Sequence, residues 1–140
     1  LEFPTDSILT GVRSETLPIG DYMVEFADGT RPPIAWERKS VADLYGTLGK
    51  GYERFRAELL RAQDAHISLI VLVEGTIAKI LQGNRHGRKD ATSLLQQVFT
   101  LMVKYRLPII FCHDRIEMGR WILEYSKALG RSWLTTQETP

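Results

Sequence analysis

The sequence predicts an α/β fold: a mixed central sheet flanked by helices on both faces. Three observations lead there. Two strand-like segments near the start flank an Asp28-Gly29 turn. Two short, continuous apolar runs follow, Ser68–Val73 and Pro108–Cys112, of the kind that fills strands buried on both sides. Between and after them, apolar residues recur every three or four positions, the spacing of crossover helices.

Each element has its own warrant. Ile19–Phe26 alternates like a strand, and Asp-Gly is a strong hairpin turn signal. Arg31-Pro32-Pro33 makes the connection irregular, because neither proline has an N–H to donate. Ile34–Glu37 reads as the returning, antiparallel strand. Ser40 is a good N-cap and Asp43 stands three residues on, much as in a capping box, so a short helix over about Val41–Leu48 follows, broken by Gly49 and Gly51. Phe55, Leu59 and Ala62 give a second helix, about Tyr52–Ala65, its apolar stripe. Ser68–Val73 is the first buried strand, ended by Gly75. A short helix over about Thr76–Leu81 precedes a polar loop, Gln82–Asp90. Leu94, Leu95, Val98, Leu101, Met102 and Tyr105 mark one side of a helix over about Thr92–Tyr105. Pro108–Cys112 is the second buried strand. Met118, Trp121, Ile122, Tyr125 and Leu129 share a face of the last helix, from Asp114 to about Leu129.

The 140 residues suffice for one domain with one core. A hydrophobic fraction of 44% with 25% charged residues excludes a disordered tail and a disulfide-rich miniprotein. Lys plus Arg is 18 against 17 for Asp plus Glu, which excludes a general polycation; any grip on a polyanion comes from local charge arrangement. A single cysteine, Cys112, suits a reducing compartment and is read as a buried strand residue rather than a nucleophile. The expected location is intracellular: cytoplasm or nucleoid in a prokaryote, nucleus in a eukaryote. The longest apolar runs are far shorter than the ~20 residues that cross a bilayer, and no signal peptide is visible, so no membrane partner is expected. His66, His86 and His113 have no metal-ligand spacing among themselves or with Cys112.

Chemistry concentrates in Trp36-Glu37-Arg38-Lys39-Ser40-Val41-Ala42-Asp43. Alternate strand residues share a face, so Glu37 and Lys39 project together while Trp36 and Arg38 point the other way. Asp21 lies eight residues before Gly29 and Glu37 eight after it. A hairpin symmetric about that turn makes them cross-strand neighbours, with Cβ atoms roughly 5 Å apart. Two such carboxylates repel, and a divalent cation relieves them; oxygen ligands with room for water and phosphate suit Mg²⁺ or Mn²⁺. Carboxylates, a cation and a lysine are the equipment of metal-assisted phosphodiester hydrolysis. Lys39 orients the water and offsets charge developing on the phosphate. The plainer account of the same residues is a surface salt-bridge cluster with Asp43 as a helix cap. The coincidence of turn, hairpin symmetry and strand-to-helix junction favours a functional site.

Gly20-Asp21-Tyr22, a gap, then Glu37-Arg38-Lys39-Ser40-Val41-Ala42-Asp43 resembles the GD…ERKxxxD signature of the XPF-type structure-specific endonuclease domain. Arg54, Glu58 and Arg61 on the following helix, Val71-Leu72-Val73-Glu74-Gly75 and Pro108-Ile109-Ile110-Phe111-Cys112 extend the likeness over most of residues 17–129. The resemblance implies a restriction-endonuclease-like (PD-(D/E)XK) fold and an Mg²⁺- or Mn²⁺-dependent endodeoxyribonuclease of DNA repair or recombination, cutting branched DNA such as flaps, forks and junctions. It implies Asp21 and Glu37 as metal ligands, Lys39 as the catalytic lysine, Arg38 as support for the site or the phosphate, and Asp43 as a further acidic member. Arg54, with Arg85, Arg88 and Lys89 of the polar loop, are the candidate DNA-phosphate contacts; the loop's other account is a solvated surface segment. The family carries another acidic motif on an earlier strand, and nothing before Asp21 matches it. Because the chain also begins at Leu1, it is expected to be a single XPF-type nuclease domain over 1–140 that lacks its N-terminal part. The family pairs through helices of its C-terminal half, which implies a homodimer through residues 92–129. The alternatives are a catalytically silent DNA-binding or dimerisation module of the same fold, and a nuclease acting on RNA.

Overall fold

The computed structural model describes residues 11–82 and 90–138. Three strands, β1 (Ile34–Ser40), β2 (Ser68–Glu74) and β3 (Ile109–Cys112), form a parallel sheet in the order β1-β2-β3. The helices are α1 (Val41–Leu48), α2 (Tyr52–Asp64), α3 (Ile77–Gln82), α4 (Ala91–Tyr105) and α5 (Arg115–Glu138). Every crossover between neighbouring strands is helical, as parallel pairing requires.

The alternation of β1 divides the core. Ala35, Val71, Val73 and Ile109 face Leu44, Phe55, Leu59, Leu94 and Val98 of α1, α2 and α4. Trp36, Ile70, Leu72 and Cys112 face Met118 and Ile122 of α5. Trp36 is almost fully buried and meets Tyr125 edge to face, ring centroids 5.4 Å apart. Truncating a core side chain such as Leu72 to alanine costs about 2–5 kcal/mol.

One expected element differs. Residues 19–26 form no strand; the pairing shrinks to a single antiparallel bridge, Tyr22↔Trp36. Three local causes limit the ladder. Gly20 turns the chain at φ +73°, so the N–H groups of Asp21 and Tyr22 both donate to the Trp36 carbonyl, at 2.8 and 3.0 Å. The next free donor of β1, the Arg38 N–H, is taken by the Asp21 side chain. At the far end Pro32 and Pro33 offer no donors. The bridge nonetheless joins two residues equidistant from Gly29, and it holds the neighbouring Asp21 beside the end of β1. The fold class stands, with the antiparallel component reduced to that bridge.

Helix α5 also runs further than expected, through Gly130 to Glu138, because helix formers such as Arg131 and Leu134 follow the glycine and no proline intervenes before Pro140. Among the described residues no helix is long and apolar enough to cross a membrane.

Candidate active site

The site is built where β1 runs into α1. Glu37 and Lys39 lie on the α2 side of the sheet, and the Lys39 ammonium stands 3.3 Å from a Glu37 carboxylate oxygen. Both are largely enclosed: 11% of the Glu37 side chain and 18% of Lys39 are exposed. Phe55 of α2 lies under the ammonium, 5.8 Å from nitrogen to ring centroid, a cation–π contact that helps hold the lysine without neutralising it.

Asp21 joins from the bridge segment. Its Oδ2 accepts the Arg38 backbone N–H at 2.9 Å. That bond fixes the carboxylate beside the edge of β1 and leaves its other oxygen unused by it. Glu37 consequently sits in an enclosed, electronegative place: burial above all, then Asp21, then Glu58 of α2 push its carboxyl up to about 7, against the opposing pull of Lys39.

Ser40 closes the strand and caps α1. Its hydroxyl accepts the Asp43 N–H at 3.0 Å while the Asp43 carboxylate accepts the Ser40 N–H at 3.2 Å, a reciprocal capping box. The Ser40 N–H holds the Asp43 carboxyl below its usual range, with lesser help from the charges of Lys39 and Arg38. The structure thus gives Asp43 a helix-capping bond at the rim and does not turn it in toward Glu37.

The other face of the same strand end carries different chemistry. Arg38 points away from Glu37 and reaches Glu74, at the end of β2, at 3.4 Å; Arg115, opening α5, reaches the second oxygen of Glu74 at 3.5 Å. These are half-exposed pairs, each of small energetic weight. Arg54 is exposed on the first turn of α2. Arg85, Arg88 and Lys89 lie outside the described residues. Cys112 is fully buried and its thiol is pushed up to about 12, chiefly by burial, which suits an inert core sulfur.

Sequence reasoning did not single out Glu58, Glu74 or Arg115 as partners in these clusters. For Glu58 a signal exists: it is three residues past Phe55 and next to Leu59, on the edge of the buried stripe of α2. Its Oε1 is sealed from solvent and has no hydrogen-bond partner.

The donor set suits a hard divalent cation. Asp21, Glu37 and Glu58 carry carboxylate oxygens, the donor type such a cation takes, and the buried Oε1 of Glu58 has no hydrogen-bond partner. The described residues hold no group of three or more His, Cys, Asp or Glu side chains already drawn together as a metal site.

The family model for the ERCC4 domain matches residues 9–125. The chain belongs to the ERCC4 domain family. The structure is similar to that of XPF from Aeropyrum pernix, with a TM-score of 0.64 at 22% sequence identity, over 89% of this chain and 56% of that one. The chain therefore spans little more than half the length of that relative. None of the curated proteins matches it. The resemblance carried by Gly20-Asp21 and the Glu37–Asp43 block thus leads to the same nuclease family and the same fold as these comparisons. In the ERCC4 domain described here, that block supplies the enclosed Glu37–Lys39 pair and the cap of α1.

Proposed function

We propose that this ERCC4 domain is a metal-dependent DNA endonuclease that hydrolyses phosphodiester bonds, with branched duplexes as its substrate. The observation that carries the reading is the enclosed Glu37–Lys39 pair facing Asp21. A salt bridge made only for stability has no need of further carboxylates around it, and their mutual repulsion makes it a poor one.

In this reading Asp21 and Glu37 hold Mg²⁺ or Mn²⁺. When bound, the cation polarises the phosphoryl oxygen and lowers the pKa of its water. The Lys39 ammonium, steadied by Phe55, orients the water and opposes the charge that grows on the phosphate. Arg38 and Arg115 lie across the strand end and offer guanidinium groups to the flanking backbone, with Arg54, Arg85, Arg88 and Lys89 as further phosphate contacts. Asp43 acts through α1, keeping the end of β1 and therefore Lys39 in place. Incubation with flap, fork and linear duplexes in Mn²⁺ tests the reading: branched substrates are cut and EDTA stops the reaction. No cleavage of any substrate in Mg²⁺ or Mn²⁺ overturns it.

A silent DNA-binding or dimerisation module of the same fold is the rival. It predicts DNA binding indifferent to Mn²⁺. Pairing of two copies is part of the main reading as well. On α4, Phe99 and Val103 lie four residues apart on one face and are 46% and 82% exposed, which supports a homodimer through residues 92–129. Light scattering that finds a monomer at high concentration overturns that part alone.

A further inference from the structure

The carboxylates named by the signature come from β1 and from the bridge segment beside it. Glu58 comes from elsewhere, the middle of α2, and the signature does not contain it. It lies one helical turn beyond Phe55, whose ring backs the Lys39 ammonium. Its charge is felt at Glu37, where it ranks after Asp21 among the groups that disfavour ionisation. Its Oε1 is shut away from water with no donor in reach.

A buried carboxylate oxygen without a donor is costly, and natural folds seldom keep one without a use. The Lys39 ammonium, backed by the same helix, bonds Glu37 instead. Structural stability gives no reason for a glutamate here. An apolar or amide side chain on the edge of the α2 stripe packs as well and removes a like charge from beside Glu37.

We propose that Glu58 is a third oxygen donor to the divalent cation, supplied by α2, so that the site closes between a helix and the sheet rather than on the sheet alone. This inference rests on the metal-dependent reading above. It assigns Glu58 to holding the ion.

The test is Mn²⁺ titration by calorimetry, paired with thermal melting with and without Mn²⁺, on the wild type, Glu58→Gln and Glu37→Gln. Glu58→Gln is expected to weaken Mn²⁺ binding at least tenfold, to melt higher than wild type when metal-free, and to gain less from added Mn²⁺. A purely structural Glu58 moves the second readout the other way, with Glu58→Gln melting lower and binding Mn²⁺ as wild type does; that result overturns the inference. Glu58→Leu repeats the comparison without an amide that donates a hydrogen bond. If the wild type binds Mn²⁺, Glu37→Gln abolishes binding and Glu58→Gln leaves it unchanged, the inference fails while the metal-dependent reading stands. A wild type that binds no Mn²⁺ overturns both.

Discussion

The ammonium of Lys39 sits 3.3 Å from Glu37, and both side chains are more than four-fifths enclosed. The pair is therefore held by the fold, with β1 setting the two residues on one face and Phe55 setting the depth. Removing either partner exposes what it does. Glu37→Gln and Lys39→Met each keep shape, and the methionine keeps the apolar stem against Phe55. Each variant is expected to remain folded by circular dichroism and to lose at least about a hundredfold in cleavage rate, the usual scale for deleting one preorganised electrostatic group. Cleavage at the wild-type rate by either variant removes the pair from the chemistry.

Glu37 also makes stability depend on pH, and the sign is opposite to that of most carboxylates. Its carboxyl is raised to about 7 from an ordinary 4.5. The folded protein therefore holds that proton more tightly than the unfolded chain. The contribution is fully present below about pH 4.5 and is lost as pH rises through about 7, with an upper size on the order of 3 kcal/mol. Glu15, Glu25, Asp43 and Glu124 are all lowered and act below that window, so they do not mask it. Urea unfolding of metal-free protein is expected to show lower stability at pH 8 than at pH 5.5. Glu37→Gln is expected to flatten that difference, and Mn²⁺ to restore stability at pH 8. An equal slope in the Glu37→Gln variant removes Glu37 as the cause.

Gly20 explains why Asp21 reaches the site at all. Its φ of +73° favours glycine, and a Cβ placed there meets both the Ala35 Cβ and the Trp36 carbonyl oxygen at 3.0 Å. Gly29 has a similar φ, +88°, with nothing within 4 Å of an added Cβ. The two positions separate strain from clash. Gly29→Ala is expected to cost about 1 kcal/mol in urea unfolding, from backbone strain. Gly20→Ala is expected to cost roughly 2–3 kcal/mol and to weaken Mn²⁺ binding as well, because Asp21 moves with it. Equal costs at the two glycines break the link between the Gly20 turn and the position of Asp21.

Much of this site is legible in the sequence because it depends on short-range rules. The β1 alternation puts Glu37 with Lys39 and Arg38 opposite, and Ser40 with Asp43 announces the start of α1 at Val41. The symmetry about Gly29 gives the Tyr22–Trp36 bridge, which brings Asp21 close enough for its charge to be felt at Glu37, even though the expected strand does not form. That strand fails for a tertiary reason: a side chain, Asp21, takes the Arg38 N–H that a longer ladder needs. Glu58, Glu74 and Arg115 were not legible as partners, because each meets the strand end from an element tens of residues away, and helix or strand periodicity does not say which element lies alongside. The alternation also placed Arg38 opposite Glu37, but only the parallel pairing of Ser40 with Glu74 shows what it meets there.

The last prediction concerns Asp43, whose sequence position has two accounts, an acid of the site and a cap of α1. The geometry joins Ser40 and Asp43 in one reciprocal box, with bonds of 3.0 and 3.2 Å. Losing either side chain opens the same first turn, so the energies overlap. Ser40→Ala and Asp43→Ala are each expected to cost about 1 kcal/mol, and the double variant clearly less than their sum. Cleavage is expected to fall in step with the loss of the cap, so Ser40→Ala and Asp43→Ala reduce it by similar factors, because Lys39 is the residue that precedes the box. An acid acting directly on the reaction separates them: Asp43→Ala then loses far more activity than Ser40→Ala at equal stability.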